Sequence, residues 1–247
     1  MKMNKNEIVV FVKGFWNRLC NLFFPPRCPF CDSVLSADEK LWCQKCVPKI
    51  KLVSGDYCMK CGKKVDASQQ YCEDCQKYGH FFLKGRSVLA YDDIAKAAIY
   101  RFKYGGRKEY AKAFGYLMYM ALRDELEQIK PDALIPVPLS RKRYRQRGYN
   151  QAYLLAKWLG RFSKIHVDDT VARRVKNTRP QKMLSRRERQ NNLKKAFIIK
   201  ENDVKLSTIV LIDDIYTTGS TVDALADAFM KKGVQNVYVI SLACGVS

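Results

Sequence analysis

The chain reads as an α/β protein, a parallel sheet wrapped by helices and preceded by a small metal-binding region. Three observations carry that reading. Eight of the ten cysteines fall into four Cys-x-x-Cys pairs confined to residues 28–75. Beyond them, short aliphatic runs alternate with helical patterns to the C-terminus. The run Thr208 to Ile212 ends in adjacent carboxylates, Asp213 and Asp214, before the turn Thr217-Thr-Gly-Ser-Thr221 opens a helix.

Taken in order, residues 1–26 read as an N-terminal amphipathic helix. Ile8, Phe11, Val12, Phe15, Trp16, Leu19, Leu22 and Phe23 recur at helical spacing over residues 5–24, and Pro25-Pro26 ends the pattern. Packing against the protein's own body is favoured over a membrane surface. The apolar run Ile8–Val12 stops at Lys13 and Arg18 follows, so neither a signal peptide nor a membrane span is expected.

Residues 27–80 form the metal-binding region. Cys28/Cys31, Cys43/Cys46, Cys58/Cys61 and Cys72/Cys75 are separated by spacers of 11, 11 and 10 residues. Each pair can clamp one side of a tetrahedral Zn²⁺, so four pairs make two structural sites. Neighbouring pairs are expected to join, Cys28/Cys31 with Cys43/Cys46 and Cys58/Cys61 with Cys72/Cys75, although an interleaved arrangement fits the spacing as well. A disulfide framework would need an oxidising compartment, and an iron–sulfur cluster is the other competitor. The segment has few aliphatic residues, so metal would supply much of its folding free energy. Gly62 suits the tight turn after Cys61.

Residues 81–247 carry the α/β pattern. Strands are expected at 86–91, 133–138, 208–212 and 236–243, with helices at 94–104, 108–129, 151–162 and 222–232. The strand from Thr208 to Ile212 has four β-branched residues with Leu211 among them, which reads as burial on both faces. Unpaired backbone N–H groups at the following helix start, with the hydroxyls of Thr217, Thr218, Ser220 and Thr221 and the backbone of Gly219, can ring a phosphate. Asp213 and Asp214 can accept hydrogen bonds from sugar hydroxyls or hold a divalent metal. Neither a P-loop ending nor a dinucleotide-binding glycine signature is present.

A second loop, Leu139 to Asn150, also leaves the C-terminal end of a strand, the edge where open α/β sheets bind ligands. Its Arg141 and Lys142 are candidates for a pyrophosphate, and Arg143, Arg145 and Arg147 for a nucleic-acid backbone. Residues 173–195 are strongly basic, with Arg179, Lys182, Arg186, Arg187 and Arg189 extending that track. Forty-five Lys and Arg against 24 Asp and Glu leave a formal charge of +21, which points to a polyanion. Tyr144, Tyr149 and Phe197 are candidates to stack on bases, an arrangement that suits single strands. His80 and His166 sit in no recognisable constellation, and Cys20 and Cys244 read as small buried residues.

The stretch Ile212-Asp-Asp-Ile-Tyr-Thr-Thr-Gly-Ser-Thr221 resembles the phosphoribosyl-pyrophosphate (PRPP) motif of type I phosphoribosyltransferases. The resemblance implies a type I phosphoribosyltransferase-like domain with a Rossmann-like parallel sheet. On it, Asp213 and Asp214 would hold the ribose hydroxyls and Thr217 through Thr221 would wrap the 5′-phosphate. Further blocks, Phe24-Pro-Pro-Arg-Cys-Pro-Phe-Cys31, Phe102-Lys-Tyr-Gly-Gly-Arg107, Pro136-Val-Pro-Leu139 with Arg147-Gly-Tyr-Asn-Gln151, and Arg179-Pro-Gln-Lys-Met-Leu-Ser-Arg186, resemble the ComF (ComFC) family of competence-associated proteins. That resemblance spans the chain from about residue 20 onward. It implies a cytoplasmic bacterial protein, near the membrane DNA-uptake machinery, that binds single-stranded DNA during natural transformation. Zn²⁺ in two structural sites, Mg²⁺ with PRPP, a ComFA-like helicase and a DprA-like recombination mediator are implied with it. One departure bears on chemistry. Where 6-oxopurine transferases have an Asp serving the base, this chain has Thr217, so no catalytic acid or base is assigned. A metabolic phosphoribosyltransferase with an unknown acceptor is the alternative.

Overall fold

The computed structural model describes residues 23, 25–175, 196–200 and 206–245. The expected helix over residues 5–24, apart from Phe23, together with Cys20, Arg179, Lys182, Arg186, Arg187 and Arg189, lies outside the described residues.

Four strands form one parallel sheet in the order β1-β6-β5-β2: β1 (Lys84–Ala90), β2 (Ala133–Pro136), β5 (Thr208–Tyr216) and β6 (Asn236–Cys244). Two short strands, β3 (Ala172–Arg174) and β4 (Phe197–Ile199), pair antiparallel outside it. The α-helices among the described residues are α1 (Glu73–Lys77), α2 (Asp93–Tyr104), α3 (Tyr110–Ile129), α4 (Arg141–Arg147), α5 (Gln151–Ser163) and α6 (Ser220–Met230). Local chemistry sets several of these boundaries. The Asp92 carboxylate accepts from Ala95 N at the start of α2, and the Asn150 side chain accepts from Ala152 N at the start of α5.

Two strands are longer or shorter than their sequence pattern suggests. β5 runs on through Asp213 and Asp214 to Tyr216, because β6 continues beside it with Ile215 opposite Ala243 and Tyr216 opposite Cys244. β2 stops at Pro136, opposite Ile212: Val137 N still donates to Ile212 O at 2.9 Å, but the Val137 carbonyl then accepts from the Asn150 side chain and the Asp214 N–H turns to the Asp213 carboxylate. The last residues of β5 are therefore paired on one side and open on the other. That opening is where the acidic pair emerges.

The core has two layers, as strands buried on both faces demand. Val210, Ile212, Ile240 and Leu242 face α2, α3 and α5, whereas Ile209, Leu211, Val237 and Val239 face α6. The cysteine region is built into both layers. Cys28, Cys43 and Cys46 pack with the first, and Cys58, Cys61 and Cys72 with the second.

The region also covers the outer edge of β1, which would otherwise be an open strand edge. Val53 N donates to Val88 O at 2.8 Å, Gly85 N to Lys60 O at 2.7 Å, and Ala90 N to Lys51 O at 3.0 Å. Gly62 shows how close the approach is. Its φ is 75°, and a Cβ there would lie 2.6 Å from the Arg86 Cα. On the other layer, Arg101 Nη2 donates to Phe30 O at 2.8 Å and Arg107 pairs with Asp32 at 3.1 Å.

Candidate functional site

The eight paired cysteines assemble into two clusters, Cys28/Cys31/Cys43/Cys46 and Cys58/Cys61/Cys72/Cys75, so neighbouring pairs join and the interleaved arrangement is excluded. Within each cluster the sulfurs lie within 4.8 Å of one another. The Sγ atoms of Cys31 and Cys43 are 3.6 Å apart, and those of Cys61 and Cys72 are 3.7 Å apart. A tetrahedron with Zn–S bonds of about 2.3 Å has an edge of about 3.8 Å, so both clusters fit zinc. Four thiolates leave such an ion no open position, which makes both sites structural.

His80 belongs to the second cluster's surroundings, although its sequence context gave no sign of this. Its Nε2 is 3.3 Å from Cys75 Sγ and its Nδ1 is 2.7 Å from Asp223 Oδ2. Asp223 also accepts from Phe81 N at 3.2 Å. Both side chains are buried, and the imidazole stacks on Phe82 at 4.7 Å. A sulfur ligand is thereby tied, through an imidazole and a carboxylate, to the first turn of α6. Outer partners of this kind typically change metal affinity by about 10- to 100-fold. We expect His80→Ala to weaken zinc at the second cluster by that factor while the first cluster keeps its affinity, as read by competition with a chromophoric chelator.

The turn before α6 is shaped by one glycine. Gly219 has a φ of 74°, and a Cβ there would clash with the Tyr216 hydroxyl. Around it Thr218 Oγ1 and Ser220 Oγ lie 2.9 Å apart, and Ser220 is buried. Thr217 and Thr221 stand on the rim of a cleft of about 510 Å³ that also holds Asp213 and Asp214. The expected residues of the turn and the acidic pair are therefore brought together in one place.

Opposite them stand cations, although not the pair expected for pyrophosphate. Residues 141–147 form a short helix, α4, capped where the Ser140 side chain accepts from Arg143 N. Residues four apart share a helix face. Arg143 and Arg147 accordingly face the cleft, whereas Arg141 and Lys142 are exposed and outside its lining, as is Arg145. Arg174, from β3, and Lys103, from α2, complete the cationic wall, with Asn150 beside them.

The electrostatics of the cleft are strained in two directions. Asp214 is paired, with Lys103 Nζ at 2.8 Å and Arg147 Nη1 at 3.8 Å. Asp213 accepts from Asp214 N at 2.8 Å. Burial, and then the neighbouring charge of Asp214, push the Asp213 carboxyl up to about 7. On the other side, burial and the charge of Arg143 push Arg174 below the usual guanidinium range. A site that crowds cations against one another on one wall suits an anion, and one that holds a carboxylate pair on the other suits hydroxyl groups.

The aromatic candidates divide. Tyr149 is buried, where its hydroxyl donates to Phe102 O, and Phe197 is buried under Arg174. Neither can receive a base. Tyr144 is exposed. No helix among the described residues is long and apolar enough to cross a membrane.

Comparison with known proteins agrees with this architecture. Residues 19–76 match the family described as the double zinc ribbon domain. The chain is 35% identical to competence protein F of Haemophilus influenzae over 226 residues, covering 90% of this chain and 98% of that protein. It is 31% identical to competence protein ComFC of Bacillus subtilis over 230 residues, covering 83% and 89%. It is 30% identical to the DNA utilization protein YhgH of Escherichia coli K12 over 222 residues, covering 88% and 96%. A solved adenine phosphoribosyltransferase aligns with a TM-score of 0.37 and 14% identity over 56% of this chain and 74% of that one, a likeness too distant to bear on the argument. A zinc ribbon with two four-cysteine sites, joined to a parallel-sheet α/β domain and matched along almost its whole length, thus belongs to the family of competence protein F, ComFC and YhgH.

Proposed function

We propose that this chain serves natural transformation, binding incoming single-stranded DNA and holding PRPP in the cleft at the C-terminal edge of its sheet. One observation carries the ligand half: a hydroxyl-lined turn at a helix start, a carboxylate pair and a wall of cations enclose a single cleft. In this reading the turn 217–221 takes the 5′-phosphate, Asp213 and Asp214 take the ribose hydroxyls, and Arg143, Arg147, Arg174 and Lys103 take the pyrophosphate. Mg²⁺ would neutralise the pyrophosphate. Asp214 already has two cationic partners, which favours hydroxyl recognition by the pair over a metal site built on it.

Thr217 at the rim offers no acid or base for a nucleobase, and this weighs toward a binding pocket over a metabolic transferase. The absence of pyrophosphate release with common bases is the corresponding expectation. The relatives named for competence and for DNA utilization support the DNA half, as does the charge of +21. A helicase of the ComFA type and a mediator of the DprA type are the protein partners proposed with it, on the cytoplasmic side of the uptake machinery.

The DNA half is tested by gel retardation with single-stranded oligonucleotides across a salt series. Affinity is expected to fall steeply with salt, with a log–log slope of about −0.7 per phosphate contact. Reversing charge at Arg186, Arg187 and Arg189 should weaken binding. No retardation at low salt, or an unchanged triple variant, would remove this half.

The elevated Asp213 carboxyl gives a pH dependence for the other half. The group ionises near 7 in the fold and near 3.8 as an isolated side chain, so its contribution to stability is fully present at low pH and is lost as pH rises through about 7. A carboxylate accepts sugar hydroxyls better when ionised. PRPP affinity is therefore expected to rise between pH 6 and 8 more steeply in wild type than in Asp213→Asn, measured by calorimetry at constant ionic strength. Parallel profiles would contradict the assignment.

A further inference from the structure

The helix turn that brings Lys103 to Asp214 also brings two tyrosines to the surface. Tyr100 is 64% exposed and Tyr104 is 48% exposed, and their ring centroids are 5.1 Å apart. Tyr104 is fixed in place by Arg147, whose Nη2 donates to the tyrosine hydroxyl at 3.1 Å while the guanidinium lies 5.0 Å from the ring centre. One turn back along α4 from Arg147 stands Tyr144, 53% exposed. Three exposed aromatic side chains thus stand on α2 and α4, which the contact of Arg147 with Tyr104 joins, and α4 adds exposed cations at Arg141, Lys142 and Arg145 and no acidic residue.

Resting on the single-strand reading given above, we propose that this face is the platform on which unpaired bases stack, with the strand's phosphates lying along Arg141 and Arg145. Two physical points select that occupant. Exposed aromatic rings interleaved with cations match the alternation of base and phosphate in a single strand, whereas a duplex presents its bases edge-on. A second copy of this chain would bring its own charge of +21 against the same cations. The platform begins where the cleft ends, since Lys103 and Arg147 line the cleft while Tyr104 touches Arg147 from outside. Bound DNA and a ligand in the cleft would therefore meet at one guanidinium.

The test uses the full-length zinc-loaded protein and leaves Tyr104 intact, because that residue holds Arg147. Fluorescence anisotropy is measured for wild type, Tyr100→Ala/Tyr144→Ala, Tyr100→Phe/Tyr144→Phe and Arg141→Ala/Arg145→Ala. The probes are oligo(dT) and an abasic oligomer of the same length, each over a salt series. Stacking is worth enough per base that the Ala pair is expected to lose at least about tenfold in affinity for oligo(dT). Its salt slope and its abasic binding should stay unchanged. The Phe pair, which keeps its rings, should bind as wild type does. The Arg variant should instead show a shallower salt slope, by about 0.7 per lost contact.

Wild-type binding that is undiminished in the Ala pair, or weakened equally for the abasic probe, overturns the platform and leaves the single-strand reading standing. Failure of wild type itself to bind oligo(dT) overturns both. Unchanged zinc content and thermal midpoint in each variant establish that folding is intact.

Discussion

Removing zinc should unmake more of this protein than the ribbon itself. A strong chelator is expected to abolish cooperative unfolding and to bring the protein out of solution. Cys72→Ser is expected to retain one zinc per chain where wild type holds two. Structural zinc in small finger peptides contributes an apparent binding free energy of about 10–16 kcal/mol, which rivals the whole stability of an ordinary domain at about 5–15 kcal/mol.

The consequence here reaches the sheet, because the two clusters cement opposite layers of the core. Phe30, between Cys28 and Cys31, packs edge-on against Phe114 of α3 at 6.0 Å. Cys58, Cys61 and Cys72 share a layer with Phe82, Val237 and Val239. Melting the second ribbon would also strip the hydrogen bonds that Lys51, Val53 and Lys60 make along β1. That strand would become an open edge, a template for aggregation. Inductively coupled plasma analysis gives the zinc count, and a thermal melt with light scattering gives the rest. A protein that keeps its melting transition after zinc is gone would refute the structural role assigned to the clusters.

Much of this organisation is legible in the residues. The Cys-x-x-Cys pairs announce themselves by spacing alone, and the aliphatic strands β5 and β6 are unambiguous because both faces of the sheet are covered. What escapes is whatever depends on distant partners or on a helix without an apolar face. α4 has no buried residue, so no hydrophobic period marks it, and as a loop its five basic side chains are indistinguishable. Once it is helical, the four-residue spacing separates Arg143 and Arg147 from Arg141 and Arg145.

His80 and Asp223 are 143 positions apart, and Lys103 is likewise remote from Asp214, so sequence offers no local cue to either pair. The block Phe102 to Arg107 is visible as a motif, yet its chemistry becomes apparent only when Lys103 is seen against the acidic pair. Tyr149 and Phe197 illustrate the converse. Aromatic residues near a basic stretch look available for stacking, but the core claims these two and leaves Tyr100 and Tyr104 at the surface instead.

The second large effect concerns the acidic pair. Two carboxylates accepting from ribose hydroxyls make charged hydrogen bonds worth about 1.5–3 kcal/mol each, so losing both should weaken PRPP by more than about 100-fold. The substitution Asp→Asn keeps the shape and removes the charge. It also releases Lys103 and Arg147 from Asp214, which leaves the cleft more cationic than before. If the cleft recognised only phosphate charge, the double variant would bind more tightly, not less. The direction of the change therefore separates ribose recognition from indiscriminate anion binding.

Calorimetry of Mg²⁺ and PRPP against wild type and Asp213→Asn/Asp214→Asn reads this directly. The PRPP pocket proposed at the end of β5 requires saturable binding in wild type and a loss of more than about 100-fold in the double variant. Undiminished binding in that variant would contradict it.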